Sequence, residues 1–434
     1  MAVTVPTSSA SPIWFDPQCR ANNAELAAAI KAFGRHLESE ESGLGIRSRS
    51  RTLLARRSFN LAVETICCNL LITTMVGDEI SLALPLAHKV MWAKGRFANP
   101  VYGQHFLDAI DLMTRLGLIK RLRKGYRFSA KSKAPSLVTA TAQLTEHLPI
   151  KKVQWHWIRQ EHDKELIILK SDKDEDGNSP AIDYRDSKQT KSWRGQMARI
   201  NERLASADIE LLSDPSSPFV GEDGGLVAPY RRSLRRTFNN RTWQDGGRLF
   251  GGFWMSMKRE DRFRRIRIDG EAIADVDYRQ LYPRLAYVRA RAAMPDEDIY
   301  DVAGDGSSRD GWKTLLNALF FAERPLGNWP DDTQNCFPEN VTLREAVEMI
   351  KRKHKPIAHL FGSRLGFQLM RIESDILIAV ITHLFKNGIP ALPLHDAVLV
   401  ARSRAEAAKE AMEQELAHRT GVRGAAVEIE VRPI

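Results

Sequence analysis

Asp275 and Asp277 stand two apart in the run EAIADVDY, residues 271–278, which is short, apolar and alternating and predicts a strand. At that spacing both carboxylates project from one face of the strand. Clustered hard oxygen ligands suit Mg²⁺, which keeps several waters and bridges substrate phosphates. Taken alone, the pair better suits a strand-end acid hydrogen-bonded to a turn. Another acid, Asp396, stands beside His395 at the tip of GIPALPLHDAVLVARS, residues 388–403, which reads as strand, tight turn, strand. A strand and a hairpin each presenting a carboxylate can hold two cations about 3.5–4 Å apart for in-line phosphoryl transfer. Between them lies RDGWKTLLNALFFA, residues 309–322. Its spacing predicts a helix with a buried stripe of Trp312, Leu315, Leu316 and Leu319. Arg309, Lys313, Asn317, Phe320 and Phe321 fall along another side. Two cations one turn apart, with an aromatic beyond them, suit a triphosphate and a base lying against the ring. By itself this is also an ordinary amphipathic helix with surface charges.

These elements belong to a chain of 434 residues, long enough for two or three domains. Hydrophobic content of 43% and charged content of 27% fit a globular protein. The net charge of +10 favours a polyanionic partner, nucleic acid before membrane. The four cysteines, Cys19, Cys67, Cys68 and Cys336, include no CxxC spacing, so neither a zinc site nor a disulfide framework is expected, and a reducing, cytoplasmic setting fits. The start has no basic segment leading into an apolar one, so no signal peptide is expected. The most apolar window, FNLAVETICCNLLITTMVG, carries Asn60, Glu64 and Asn69 and reads as a buried helix rather than a membrane span.

Residues 1–57 read as an N-terminal extension. From there to 150, two helix-like segments, EISLALPLAHKVMWA and VYGQHFLDAIDLMTRLG, precede LIKRLRKGYRFSAKS, a basic hairpin with its turn at Lys124-Gly125. Helix, helix, basic hairpin resembles a winged-helix DNA-binding module; a small helical domain with an ordinary surface hairpin has the same pattern. ELIILK predicts a strand, and SDKDEDGNSP, residues 171–180, a loop at a plausible domain boundary. SKQTKSWRGQMARINERLASADIELL predicts one basic amphipathic helix or a pair. YRRSLRRTFNNRTWQDGGRLFGG carries six arginines among aromatics, which suits phosphate contact with stacking, or else a solvated helix face.

The order of the chemistry-bearing segments resembles the family A, DNA polymerase I type, of DNA polymerases. DYRQLYPRL is similar to that family's motif A, with Asp277, Tyr278, Gln280 and Arg284 matching. Arg309, Lys313 and Phe321 resemble motif B, and LHDAV resembles the hairpin of motif C. GGRLFG and RRIRID are similar to the segments that precede motif A, and the chain after 400 is similar to the closing helix and strand. The resemblance covers roughly 240–434. Departures are Ala397 where motif C continues with Glu, Ala322 where motif B has Gly, and Tyr282 where a glutamate gates the nucleotide sugar. QLYPRL is closer there to motif A of family B polymerases, in which a tyrosine does the gating. Asp277 and Asp396 are 119 residues apart, a short interval that implies reduced fingers.

The resemblance implies an α+β fold: a right-hand polymerase palm, an antiparallel sheet with helices, over 241–434. Small fingers would be inserted at about 295–370, with a linker and thumb-like helical region over 151–240. A mainly helical, winged-helix-like module would precede them over 58–150. It implies template-directed extension of a DNA primer with dNTPs, without a recognisable proofreading exonuclease. Asp277 and Asp396 would ligate two Mg²⁺ ions, or Mn²⁺ in their place. Arg309 and Lys313 would bind the triphosphate, with Lys313 giving a proton to pyrophosphate. Phe321 would stack near the nascent pair, with Gln280 and Tyr282 against the substrate. Arg248 and His395 would touch the primer end, and Arg284 the DNA. Asp275 ranks below the other two acids. A primase or RNA polymerase on the same palm is the rival. A DNA-binding replication or regulatory protein with an inactive palm is a different class, left open by the missing motif C glutamate. Retention of both aspartates and both motif B cations argues against it.

Overall fold

In the computed structural model, residues 11–77, 80–127, 133–148, 153–161, 165–175, 177–213, 226–422 and 427–432 are described. The protein is a mixed α/β molecule that divides into two compact units, each assembled from separate stretches of chain.

The first unit comprises Met1–Glu165, Leu211–Ser233 and Gly251–Arg265. Its core is built on the helix Leu53–Val76, whose apolar residues pack with the helices Ala24–Gly43 and Gln104–Arg115. Thr52 caps the long helix by accepting from the Ala55 amide, and the helix ends at Gly77. By length and composition this helix passes for a membrane span, yet 67% of its most apolar window is buried within the protein. Of the polar residues in that window, Asn60 is exposed, Glu64 accepts from the Ala21 amide, and Asn69 is paired inside the core. It accepts from the Asp16 amide and donates to the Asp16 and Thr65 carbonyls, so its amide is satisfied inside the core.

A four-stranded sheet in the order Ile13–Trp14, Leu82–Leu84, Ser136–Ala140, Ile119–Arg123 covers these helices. Two expectations change here. Of the segment expected as a helix, Glu79 lies outside the described residues, and 80–93 is not one helix but the strand Leu82–Leu84 followed by a single turn, His88–Met91. Pro85 is the reason, since it removes an amide donor and turns the residue before it away from the α region. The basic hairpin exists, but it does not turn at Lys124-Gly125. Ile119–Arg123 pairs with Ser136–Ala140, and Tyr126–Arg127 goes on to pair with Lys133–Ala134, so the tip falls outside the described residues. A Cβ on Gly125 would lie 2.7 Å from the Ser136 backbone nitrogen, so the strand passes there because the residue is glycine.

The second unit comprises Leu166–Glu210, Leu234–Phe250 and Ile266–Ile434. Its main sheet is centred on the strand Glu271–Tyr278, as the alternation predicts. Along one edge runs Ala397–Ala401, paired in turn with Leu392–Leu394; along the other lie Ile266–Ile268 and Val427–Glu430, with Ile209–Leu211 outermost. The helix Ala405–Thr420 packs on one face, where Tyr278 donates to the Met412 carbonyl at 2.6 Å. Because strand side chains alternate, Asp275 and Asp277 project from the opposite face. The Arg-rich stretch 230–252 contains two strands rather than a helix, Arg235–Phe238 and Gly246–Phe250, which pair with each other, the first also with Ile167–Leu169. Arg236 is only 1% exposed: it donates to the Gly247 carbonyl and to Asp375 at 2.7 Å, among the rings of Trp193 and Phe238. One of the six arginines is therefore an internal brace rather than a phosphate contact. Trp193 comes from a single helix, Lys188–Ser206, closed by a capping box between Ser187 and Thr190.

Candidate active site

All the residues that follow lie in the second unit. Asp277 pairs directly across the sheet with Ala397, and Asp396 immediately precedes that position in the turn. The turn is two residues long, with His395 at φ 59°, in the left-handed region where histidine is among the commoner non-glycine residues. So tight a turn fixes Asp396 at the end of the strand beside Asp277. The two sequence-distant acids are therefore brought together by the register of one strand pair. Ala397, where the resemblance expects glutamate, sits on the acid-bearing face opposite Asp277 and is buried.

The electrostatics confirm crowding. Burial, then the neighbouring charges of Asp396 and Asp275, raise the Asp277 carboxyl well above the usual carboxylate range, while Lys313 pulls it down. Asp277 is open to solvent on one side, and its shift comes from the protein packed around the rest of it. Burial and then the charge of Glu373 raise Asp396, opposed by Arg248 and Lys313. The charge of Lys313 thus reaches both carboxylates from the helix Arg309–Phe321, where the residue is exposed. Asp275 is 8% exposed and adds its charge from two residues back on the same strand face. Across the other edge, Glu428 stands opposite Asp277 and is held by Arg279 at 2.9 Å.

The helix Arg309–Phe321 buries Trp312, Leu315, Leu316 and Leu319, as predicted. Phe320, expected on the cationic side, is instead fully buried against Phe361 at 5.6 Å. A stripe read from spacing alone was one residue too narrow, because a second layer, Phe361 among it, covers that flank. Phe321 is half-buried and its ring lies 6.0 Å from that of Tyr282 and 5.1 Å from that of Phe367. Gly366 permits this approach, since a Cβ there would fall 2.7 Å from the Phe321 ring.

Arg309 is engaged by Asp298 at 2.6 Å and lies over the Tyr300 ring. Asp298 also accepts from Gln280 at 2.8 Å and from the Tyr300 amide at 2.9 Å. Burial alone would raise Asp298, but these bonds and the charge of Arg309 hold it below its ordinary range. Gln280 occupies the left-handed region at φ 56°, where the strand turns into the helix Leu281–Ala290. Arg284, on that helix, donates to the Arg279 carbonyl at 3.0 Å. Arg248 donates Nε to Glu373 at 2.7 Å and a terminal nitrogen to the Tyr282 hydroxyl at 2.7 Å. His395 is exposed at the hairpin tip. The structure thus gathers Asp277, Asp396, Lys313, Arg248, Tyr282 and Phe321 into one neighbourhood, with Gln280 and Arg309 joined through Asp298. Glu373 and Asp298 carry no motif signal and were not singled out by the sequence.

No family model matches the chain, and no curated protein matches it. Among solved structures the chain is similar to the POL domain of Pol1 from M. smegmatis, in complex with DNA primer-template and dNTP. The identity is 12% and the TM-score 0.31, over 56% of this chain and 51% of that one. The chain spans about half the length of that structure. A likeness of this degree establishes neither family nor activity.

Proposed function

We propose that the second unit is a nucleotidyltransferase of the polymerase palm type, extending a DNA primer with dNTPs. The observation that carries this reading is the pairing of Asp277 with the turn residue Asp396, both reached by the charge of Lys313. Two carboxylates raised by burial and by neighbouring acidic charge form a site that gains from a cation. Among the described residues no group of three or more His, Cys, Asp or Glu is arranged to hold a metal. Two carboxylates are enough for Mg²⁺, which takes one or two and fills its shell with water and substrate phosphate. Asp277 and Asp396 would hold it. Two such ions, when bound, supply Lewis acidity for deprotonating the primer 3′-hydroxyl and offset charge on the leaving pyrophosphate.

The chain's own residues do the rest. Lys313 is an exposed cation beside the acids, suited to neutralising charge that develops on the triphosphate and to protonating the pyrophosphate oxygen. Arg309 can take up phosphate by exchanging Asp298 for it. The Tyr282 and Phe321 rings form an aromatic wall against which sugar and base would rest. On this reading Gln280 contacts substrate, while His395 and Arg284 contact DNA. The exposed basic hairpin of the first unit suits phosphate contact of the winged-helix kind. Extension of a labelled primer–template by the full-length protein, with dNTPs or rNTPs and Mg²⁺, tests the reading. An unprimed template run alongside separates a polymerase from a primase. Primer-dependent incorporation of dNTPs is expected; absence of product with every substrate would overturn it.

A further inference from the structure

Glu373 is 1% exposed and lies midway along the helix Leu365–Lys386. A buried carboxylate is costly unless it is paired and hydrogen-bonded. Glu373 is both: its two oxygens accept from Nε and a terminal nitrogen of Arg248 at 2.7 and 3.0 Å, the fork geometry that fixes a guanidinium plane. The same terminal nitrogen of Arg248 donates to the Tyr282 hydroxyl at 2.7 Å, and the guanidinium sits 5.8 Å from the Tyr282 ring centre. The same ring lies 6.0 Å from that of Phe321. Tyr282 is therefore held at its hydroxyl end and on its ring, five residues past Asp277.

We propose that Glu373 is a positioning residue that, through Arg248, locks the Tyr282 ring and thereby sets discrimination between deoxyribose and ribose. A wall that rejects a 2′-hydroxyl by clash works only if it cannot swing aside. A tyrosine ring turns freely about its side-chain bonds unless something anchors its end. Glu373 supplies the anchor from an element that carries none of the motif residues. Arg248, half-buried, is the link between Glu373 and Tyr282.

The inference rests on the polymerase reading, and one set of assays separates the two. The ratio of rNTP to dNTP incorporation efficiency is measured for the parent, Glu373→Gln and Tyr282→Phe. Arg248→Lys, which keeps the charge opposite Glu373 but loses the fork, replaces Glu373→Gln should the latter not fold. The ratio is expected to rise on the order of tenfold in the clamp variant, the scale of one lost packing contact. It should rise comparably in Tyr282→Phe, which removes the hydroxyl that the clamp holds. A purely structural role would lower both efficiencies together and leave the ratio still. An unmoved ratio in a folded clamp variant overturns the proposal, as does a ratio that moves in Tyr282→Phe alone. A parent that extends no primer sinks the polymerase reading and this inference with it. A parent that extends, with unmoved ratios, sinks only the clamp.

Discussion

Asp277 illustrates how a site residue works against the fold that holds it. Its carboxyl is raised by burial and by Asp396 and Asp275. In the unfolded chain it ionises near pH about 4, so the folded state loses stability as pH climbs from there through the raised value. Asp277→Asn should therefore raise the melting temperature of the metal-free protein, and the gain should grow between acidic and neutral pH. Mg²⁺ should stabilise the parent more than the variant. Melting curves at several pH values, with and without Mg²⁺, test both. The two cations on the helix Arg309–Phe321 should separate in kinetics. Lys313→Ala should slow incorporation on the order of 10²-fold, because the charge of Lys313 reaches the acids. Arg309→Ala should mainly raise the dNTP KM, because Arg309 already has a partner in Asp298. Steady-state kinetics in which both variants match the parent would remove the assignment. Asp277, Asp396 and Lys313 were legible because each sits in a local pattern that presents it. Glu373 and Asp298 were not: the meaning of each depends on a partner supplied by a distant element, at separations of 125 residues for Arg248–Glu373 and 11 for Arg309–Asp298.

Among the elements, the legible ones were those whose period decided their burial. The strand Glu271–Tyr278, the hairpin around His395 and the helix Arg309–Phe321 all follow from alternation or helical spacing. The segment around Leu82–Leu84 did not, because sheet pairing and Pro85 outweighed a helix-like apolar pattern. Helix packing also makes a pH-sensitive joint. His354 is fully buried where the helix Leu343–Lys353 ends. Its Nε2 lies 3.0 Å from the Ile299 carbonyl and its Nδ1 3.1 Å from the Tyr287 hydroxyl. Burial pushes it down to about 4, chiefly by desolvation, against a weaker upward pull from the Ile299 carbonyl. An unfolded histidine takes up a proton near pH about 6.5. Stability from this residue is thus complete above that value and lost as pH falls toward 4, at most about 3 kcal/mol. Acid unfolding between those limits should be shallower in His354→Gln, which keeps a hydrogen-bonding side chain without the charge. A variant whose stability falls as steeply as the parent's across that range would contradict the assignment.

At the scale of the molecule, the chain carries a net charge of +10 while its proposed reaction centre is a crowd of acids. Affinity for a polyanion must then come from elsewhere, and Lys120, Arg121, Arg123 and Lys124 are all exposed on the hairpin of the first unit, beside exposed Leu122 and Tyr126. Changing those four cations to alanine should weaken DNA binding without sequence preference. It should also flatten the salt dependence by about one unit of slope per lost phosphate contact, leaving the dNTP KM unmoved. An unchanged salt slope in filter binding would remove the hairpin from the DNA contact. Cutting the chain near 150 is a poorer test, because Leu211–Ser233 and Gly251–Arg265 belong to the same unit and would be stranded. The central claim is that Asp277 and Asp396 act together in nucleotidyl transfer. It is tested most directly by primer extension with Asp277→Ala and Asp396→Ala, scored alongside DNA affinity. Each substitution is predicted to abolish incorporation while leaving DNA binding near that of the parent, since carboxylates drive the chemistry and basic residues the affinity. Extension at near the parent rate by either variant would contradict it.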